Sequence, residues 1–307
     1  MNLIEQFLQY LTHELGYSPL TVKAYGADLA QWADFATGSN PSALDPLSVS
    51  GSDLRLWIAS LSAQGLSPYS IKRKGSSLKS FFKYLVKHKG LAANPADAIV
   101  SGKTPKPIPV YVRQSETENI IDEAEKATEL EDLRNALILD LFYSTGIRCS
   151  ELTSLKNVDV DTRKCELKVV GKRNKHRVIP FGAELAALID RYRTLRDADP
   201  DMAVSPSDAE ATLFTRSGGA PLYRKLVYNV VHRLLTDGGA HAERLSPHVM
   251  RHSCATDMLN AGASIASVKD MLGHSSLAST QVYTHVTYKD LRNNYQLARP
   301  RAQKKGG

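Results

Sequence analysis

The chain has 307 residues, a formal net charge of +7 and a hydrophobic content of 42%. That length accommodates two domains of ordinary size, and the apolar content suffices to build their cores. No run of about 18 apolar residues occurs, so no membrane-spanning helix is expected, and the start Met1-Asn2-Leu3-Ile4-Glu5-Gln6 lacks the basic-then-apolar pattern of a signal peptide, so a cytoplasmic protein is expected.

Residues 1–100 read as a helical domain. Leu3, Ile4, Phe7, Leu8 and Leu11 recur at helical spacing. Ser18-Pro19 opens a second helix, serine as N-cap and proline in the first turn, with Val22, Tyr25, Leu29, Trp32 and Phe35 on one side. Residues 38–50 form a Pro/Ser/Gly loop. A third helix is expected near Asp53–Gln64, with Leu54, Trp57, Ile58 and Leu61 inward. Ser67-Pro68 opens a fourth, which Asn94-Pro95 ends or follows. Between Ser67 and Gly90 this helix carries Lys72, Arg73, Lys74, Lys79, Lys83, Lys87 and Lys89, interleaved with aromatics and without an acidic residue. A solvated face usually mixes both signs, so an all-basic helix points to phosphate contact, and Lys72, Arg73, Lys74 and Lys79 are DNA-binding candidates.

Residues 101–109 read as a linker, because three prolines between Pro105 and Pro109 forbid a helix. Its lysines suit a strap along DNA as well as an ordinary solvated linker. From residue 110 to 307 a second domain follows. Ser115-Glu116-Thr117-Glu118 has the form of a capping box ahead of Ile120 and Ile121. Residues 133–143 look like a buried helix that stops at Ser144-Thr145-Gly146. Two alternating runs, Glu166–Val170 and His176–Pro180, flank Gly171-Lys172-Arg173-Asn174-Lys175 and predict a hairpin with a basic tip. Helices are expected around 182–197, 222–236, 246–260 and 264–271, with a loop over 198–212. The expected fold is mainly α with a small antiparallel β-sheet in the second domain. Cys149, Cys165 and Cys254 are odd in number and lack metal-site spacing, so neither a disulfide framework nor a zinc site is expected. Cys149 and Cys254 read as small packing residues.

The chemistry lies in the second domain. Arg148 follows a glycine turn and begins a helical run, where backbone N–H donors favour phosphate; it is equally placed to pair with Glu151. His248 and Arg251 stand three residues apart in the first turn of a helix whose start Ser246-Pro247 fixes. His274 follows Gly273 at a helix junction. Tyr283 is a candidate nucleophile whose phenol needs nearby cations to become useful. Lys172, at the hairpin tip, is a candidate general acid for a leaving oxygen. Each is ordinary alone; together they suit breaking and rejoining a phosphodiester through a tyrosyl ester, with arginine forks matching phosphate. The sequence offers no acidic cluster of the kind a two-metal nuclease uses and no Gly-x-x-x-x-Gly-Lys-Ser/Thr, and no cofactor is called for.

Four stretches carry a resemblance: Thr145-Gly146-Ile147-Arg148-Cys149-Ser150-Glu151-Leu152, Gly171-Lys172-Arg173-Asn174-Lys175, His248-Val249-Met250-Arg251-His252-Ser253, and Leu272-Gly273-His274-Ser275-Ser276 leading to Val282-Tyr283-Thr284-His285-Val286. The chain resembles the tyrosine recombinases of the phage-integrase family, most closely the Xer recombinases. The resemblance implies a two-domain, C-shaped clamp on double-stranded DNA and a homo- or hetero-tetramer working through a Holliday junction. It implies that the C-terminal helix over residues 287–298 passes to a neighbouring subunit, and it leaves open whether a DNA translocase is an activating partner. It assigns Arg148 and Arg251 to the scissile phosphate, His248 and His274 to proton handling and phosphate hydrogen bonding, Lys172 to the leaving oxygen and Tyr283 to the 3′-phosphotyrosyl bond. Arg173 and Lys175 join the DNA-binding candidates. Met250, Cys254 and the ending Ala298-Arg299-Pro300-Arg301-Ala302 depart mildly from the Xer pattern. Chromosome dimer resolution is thus set beside an integrase or invertase of a mobile element, a type IB topoisomerase-like enzyme and an inactive DNA-binding protein.

Overall fold

A computed structural model describes residues 2–38, 40, 44–99, 110–171, 176–205, 208 and 210–273. The expected linker 101–109, the hairpin tip 172–175 and everything from His274 onward lie outside the described residues. The chain divides into two compact units, Met1–Pro107 and Ile108–Gly307.

The first unit is built from α1 (Leu3–His13), α2 (Pro19–Thr37), α3 (Gly51–Ala63) and α4 (Pro68–Lys89), with a short 3-10 turn at Pro95–Ala98. Sequence sets these boundaries. Ser18, Ser50 and Ser67 cap their helices by accepting the N–H of the third residue on, and Pro19 and Pro68 occupy the first helical position. Gly90 ends α4 in the left-handed conformation, which costs glycine nothing. α4 is the central element. Phe81 packs edge-on against Phe7 and Phe82, at ring separations of 5.4 and 5.3 Å, and tilted against Trp32 at 6.1 Å. Leu11, Leu29, Leu54, Trp57 and Leu85 complete the core. Phe35, expected inward, is 42% exposed, because the last turn of α2 runs past the core.

Not all the basic residues of α4 face solvent. Lys74 is buried at 5% exposure, and its ammonium donates to Asp28 Oδ1 at 3.0 Å and to Gln31 Oε1. Arg73 also reaches Asp28, from a half-exposed position. Lys72 and Lys83 are exposed and Lys79 is half-buried on the helix. The interior carboxylate Asp28 takes Lys74, so the outward basic stripe is narrower than the sequence suggests.

The second unit packs around α6 (Leu130–Thr145), in which every residue from Leu133 to Thr145 is buried. A helix buried on all sides needs neighbours on all sides; α5 (Gln114–Ala124), α8 (Ala183–Ala198), α9 (Arg224–Asp237) and α10 (Pro247–Asn260) supply them. α7 (Cys149–Thr153) and α11 (Ile265–Leu272) complete the α-helices among the described residues. β1 (Val160–Asp161), β2 (Glu166–Val170) and β3 (His176–Pro180) form an antiparallel sheet in that order, with Leu167 opposite Ile179 and Val169 opposite Arg177. A two-residue pair, β4 (Thr215–Arg216) with β5 (Ala220–Pro221), lies at the edge of the loop region and was too short to read from sequence. The capping box expected at Ser115 does not form. α5 starts at Gln114 behind Arg113, without a side-chain cap, and Glu118 is buried and accepts from Gln114 Nε2 at 2.9 Å. The Val112 N–H, held by Ser253 Oγ of α10 at 2.9 Å, ties down the chain just ahead of that start. No described helix is long and apolar enough to cross a membrane.

Removing Asp28 leaves a buried ammonium with one neutral partner, so Asp28→Ala should cost about 3–5 kcal/mol, while Asp28→Leu with Lys74→Met should return most of it. Both tryptophans, Trp32 and Trp57, lie in this unit, so urea unfolding followed by tryptophan fluorescence reads it selectively. An Asp28→Ala midpoint equal to the parent's would deny the buried pair its role.

Candidate active site

The end of α6 builds the first half of the site. Gly146 takes φ +58°, a conformation open to glycine, and a Cβ there would overlap the Leu272 side chain and lie 3.4 Å from Cys254 Sγ. The turn therefore needs glycine for its backbone and for the close approach of α10 and α11. Two residues on, Arg148 is the N-cap of α7. Its backbone N–H donates to Glu151 Oε2 at 2.8 Å, its Nη1 to Glu151 Oε1 at 2.9 Å and its Nη2 to the Gly273 carbonyl at 2.7 Å. The pairing of this arginine with Glu151 is thus made by both its backbone and its guanidinium.

α10 supplies the second half. Ser246 caps it and Pro247 starts it, as the sequence predicts. Arg251 is buried at 4% exposure and donates Nη2 to the Leu272 carbonyl at 2.5 Å and Nη1 to the Gly146 carbonyl. Burial first, then repulsion from Arg148 and Arg177, lowers its pKa to about 10, against the attraction of Glu151. It remains a cation at neutral pH. Arg148 and Arg251 thus end on the carbonyls of successive residues at the close of α11.

His248 is exposed on the first turn of α10, and its ring meets that of His252 edge-on at 4.9 Å. Burial, then His248 and Arg251, holds His252 below the ordinary imidazole range.

Sequence reasoning saw Glu151 only as a partner for Arg148 and missed Arg177. Glu151 is buried between guanidiniums; burial works to raise its carboxyl, but hydrogen bonds from Arg177 and Arg148 outweigh it and hold it below the usual range. Arg177 grips it with both ends of its fork, Nη1 to Oε1 at 2.7 Å and Nη2 to Oε2 at 2.8 Å, and gives Nε to the Met271 carbonyl at 2.8 Å. A signal was available: in the alternation of β3, Arg177 shares the inward register of Ile179. Lys172, Arg173, Lys175, His274 and Tyr283 lie outside the described residues.

The back of α10 is anchored away from the arginines. The Tyr143 hydroxyl of α6 donates to Asp257 Oδ2 at 2.9 Å. Burial, then the Glu118 charge, pushes Asp257 up to about 6, against that hydrogen bond. Cys254, fully buried behind Arg251, is raised to about 12, chiefly by burial, and is a packing thiol. Cys149 is half-buried against the same core.

A model described as "Phage integrase family" matches residues 111–290, and one described as "Phage integrase, N-terminal SAM-like domain" matches residues 4–89. Tyrosine recombinase XerC of Chlorobaculum parvum is 34% identical over 318 residues, covering 97% of this chain and 94% of that protein. Tyrosine recombinase XerC of Bacillus pumilus is 35% identical over 308 residues, covering 99% and 98%. Among solved structures, the fold resembles XerH recombinase bound to a palindromic difH substrate in a post-cleavage complex (TM-score 0.70, 20% identity, 95% of this chain and 84% of that one). It also resembles the Tn1549 transposon integrase in complex with a circular intermediate DNA (TM-score 0.68, 20% identity, 96% and 99%).

Asp257 gives the site's main support a pH dependence. Its folded pKa of about 6 exceeds the unfolded value near 4, so between those values the native state holds a proton that the unfolded chain has released. This contribution to stability is present below about pH 4 and lost as the pH rises to about 6. Asp257→Asn still accepts from Tyr143, and should therefore gain on the parent across that window and hold a constant advantage above it. Urea unfolding followed by circular dichroism from pH 4.5 to 7.5 checks this; a gap that does not vary with pH would contradict it.

Proposed function

The chain belongs to the phage integrase family as a tyrosine recombinase of the Xer type, and we propose that it cuts and rejoins DNA strands at a specific site through a covalent 3′-phosphotyrosyl intermediate and a Holliday junction. The observation that carries the reading is the pair Arg148 and Arg251. They come from different elements, and their guanidiniums meet at the carbonyls of Gly273 and Leu272, side by side on one turn. Two planar cations held so close suit the charge that a phosphodiester gathers as it is attacked.

In this proposal Tyr283 Oη attacks the scissile phosphorus and passes its proton toward His274 or His248. The bond to the 5′ oxygen breaks, and Lys172 protonates that oxygen as it leaves. Arg148 and Arg251 neutralise the non-bridging oxygens. The phosphotyrosyl ester conserves the bond energy, and a 5′-hydroxyl of the partner strand attacks it to release the tyrosine. Lys72, Arg73 and Lys79 of α4, with Arg173 and Lys175, contact backbone phosphate; Lys74 supports the helix from inside. The working unit is a homo- or hetero-tetramer on double-stranded DNA in which the C-terminal helix passes between subunits, a translocase activates it, and its role is chromosome dimer resolution. Near-full-length similarity to the two XerC proteins supports that role over service to a mobile element.

Sequencing the DNA retained by Tyr283→Phe protein identifies the target, and a nicked duplex of that sequence then traps the intermediate. Tyr283→Phe should give no covalent adduct while binding with unchanged affinity. Arg251→Lys should lower the cleavage rate by about 10²–10³-fold, the cost of losing one preorganised donor at a developing charge. Adducts that persist in Tyr283→Phe would assign the nucleophile elsewhere.

DNA affinity should also fall steeply with salt, log Kd changing by about 0.9 per tenfold salt for each phosphate contacted. A flat dependence would argue against the basic stripe of α4 as a DNA contact.

A further inference from the structure

We propose that Arg177 is a positioning residue for strand cleavage: through Glu151 it sets the guanidinium of Arg148, and through the Met271 carbonyl it fixes the end of α11 on which Arg148 and Arg251 converge. This inference rests on the function proposed above and adds to it a residue of the β-sheet.

The argument starts from the acceptors around one carboxylate. Glu151 has two oxygens, each with two places for a donor. Arg148 fills one place on each, by Nη1 on Oε1 and by its backbone N–H on Oε2. Arg177 fills the other place on each, with its fork. The carboxylate is thereby saturated, and Arg148 gives it a single guanidinium nitrogen. Take the Arg177 fork away, and a buried carboxylate is left with two empty acceptor places. Arg148, already on that carboxylate, has further N–H groups to offer it. Drawing them in would turn a one-point contact into a bidentate pair and spend the guanidinium edge that a phosphate would use.

The balance of charge points the same way. Among the described residues, three guanidiniums, Arg148, Arg177 and Arg251, gather at one carboxylate, Glu151, an excess of two positive charges. A phosphodiester under attack by a phenolate gathers about two negative charges. Removing Arg177 would halve the excess and leave Glu151 competing with the phosphate for Arg148.

The third contact ties the sheet to α11. Arg177 Nε donates to the Met271 carbonyl, while Arg251 and Arg148 take the next two carbonyls. Gly273 keeps the passage open, since a Cβ there would lie 3.2 Å from Arg177 Cδ and Nη1. A fork on one carboxylate and a third donor turned to a carbonyl, all from one planar group, are a geometry that lysine cannot reproduce.

The test uses the full-length protein and single-turnover cleavage of a nicked target duplex, with Arg177→Lys retaining the charge and losing the fork. Cleavage should slow by about 10- to 100-fold, the scale of an ångström-level misplacement, with DNA affinity unchanged. A merely structural lesion would slow cleavage of any substrate alike. A methylphosphonate at the scissile position removes one of the charges that Arg148 neutralises, so on it the Arg177→Lys deficit should shrink to under about threefold. The double variant Arg148→Ala with Arg177→Lys should cleave no more slowly than Arg148→Ala alone, because the two act as one unit. Arg177→Gln carries the same comparison if the lysine variant melts early. A deficit equal on both substrates and multiplicative with Arg148→Ala would overturn the proposal. If the parent forms adducts and both Arg177 variants cleave at the parent rate, this inference alone falls; if the parent forms none, the proposed function falls with it.

Discussion

A single buried carboxylate organises the second unit. Glu151 sits among guanidiniums from a helix cap, a β-strand and a neighbouring helix, and without it those charges could not share so small a volume. The arrangement solves two problems together. The last carbonyls of α11 have no partners within their own helix, and the arginines have more donors than one carboxylate can accept. Each set satisfies the other. The helix end is held at three successive carbonyls, and the guanidiniums are fixed where their remaining faces can meet a ligand.

The rest of the unit supports that arrangement. α6 is buried all round because it must carry Gly146 to the one place where the backbone can pass beneath Leu272 and accept Arg251. The Tyr143–Asp257 bond and the Val112–Ser253 bond hold α10 from its far side. A carboxyl pushed up to about 6 shows the cost of this anchor: Asp257 is kept in place by packing that disfavours its charge.

Charge is used differently in the first unit. α4 buries one of its cations, Lys74, against Asp28, reaches the same acid with the half-exposed Arg73 and leaves Lys72 and Lys83 exposed. An inward lysine and an outward one look alike in a run of Lys and Arg. Only the position of an acid on α2, 46 residues earlier in the chain, separates them.

Much of this was legible in the sequence. Helix starts at Ser18-Pro19, Ser67-Pro68 and Ser246-Pro247 follow from local chemistry that needs no tertiary partner. The two strands of the hairpin, Glu166–Val170 and His176–Pro180, follow from alternation. The residue types that suit phosphodiester chemistry are also visible in line, because side-chain chemistry belongs to each residue wherever it lies. What the order of residues alone could not decide was partnership. Glu151 with Arg177, Arg251 with the Gly146 and Leu272 carbonyls, and Lys74 with Asp28 are pairings across 21 to 105 positions. Local propensity says nothing about which distant acceptor a long cation will reach. The failed capping box at Ser115 has the same cause, since a hydrogen bond from the Val112 N–H to Ser253 of α10, and not the local motif, lies just ahead of the helix start. Sequence determined which groups were present, where the serine–proline helix starts fall and where the two strands of the hairpin would form; folding decided which groups met, because hydrogen bonds and ion pairs depend on distance in space and not on distance along the chain.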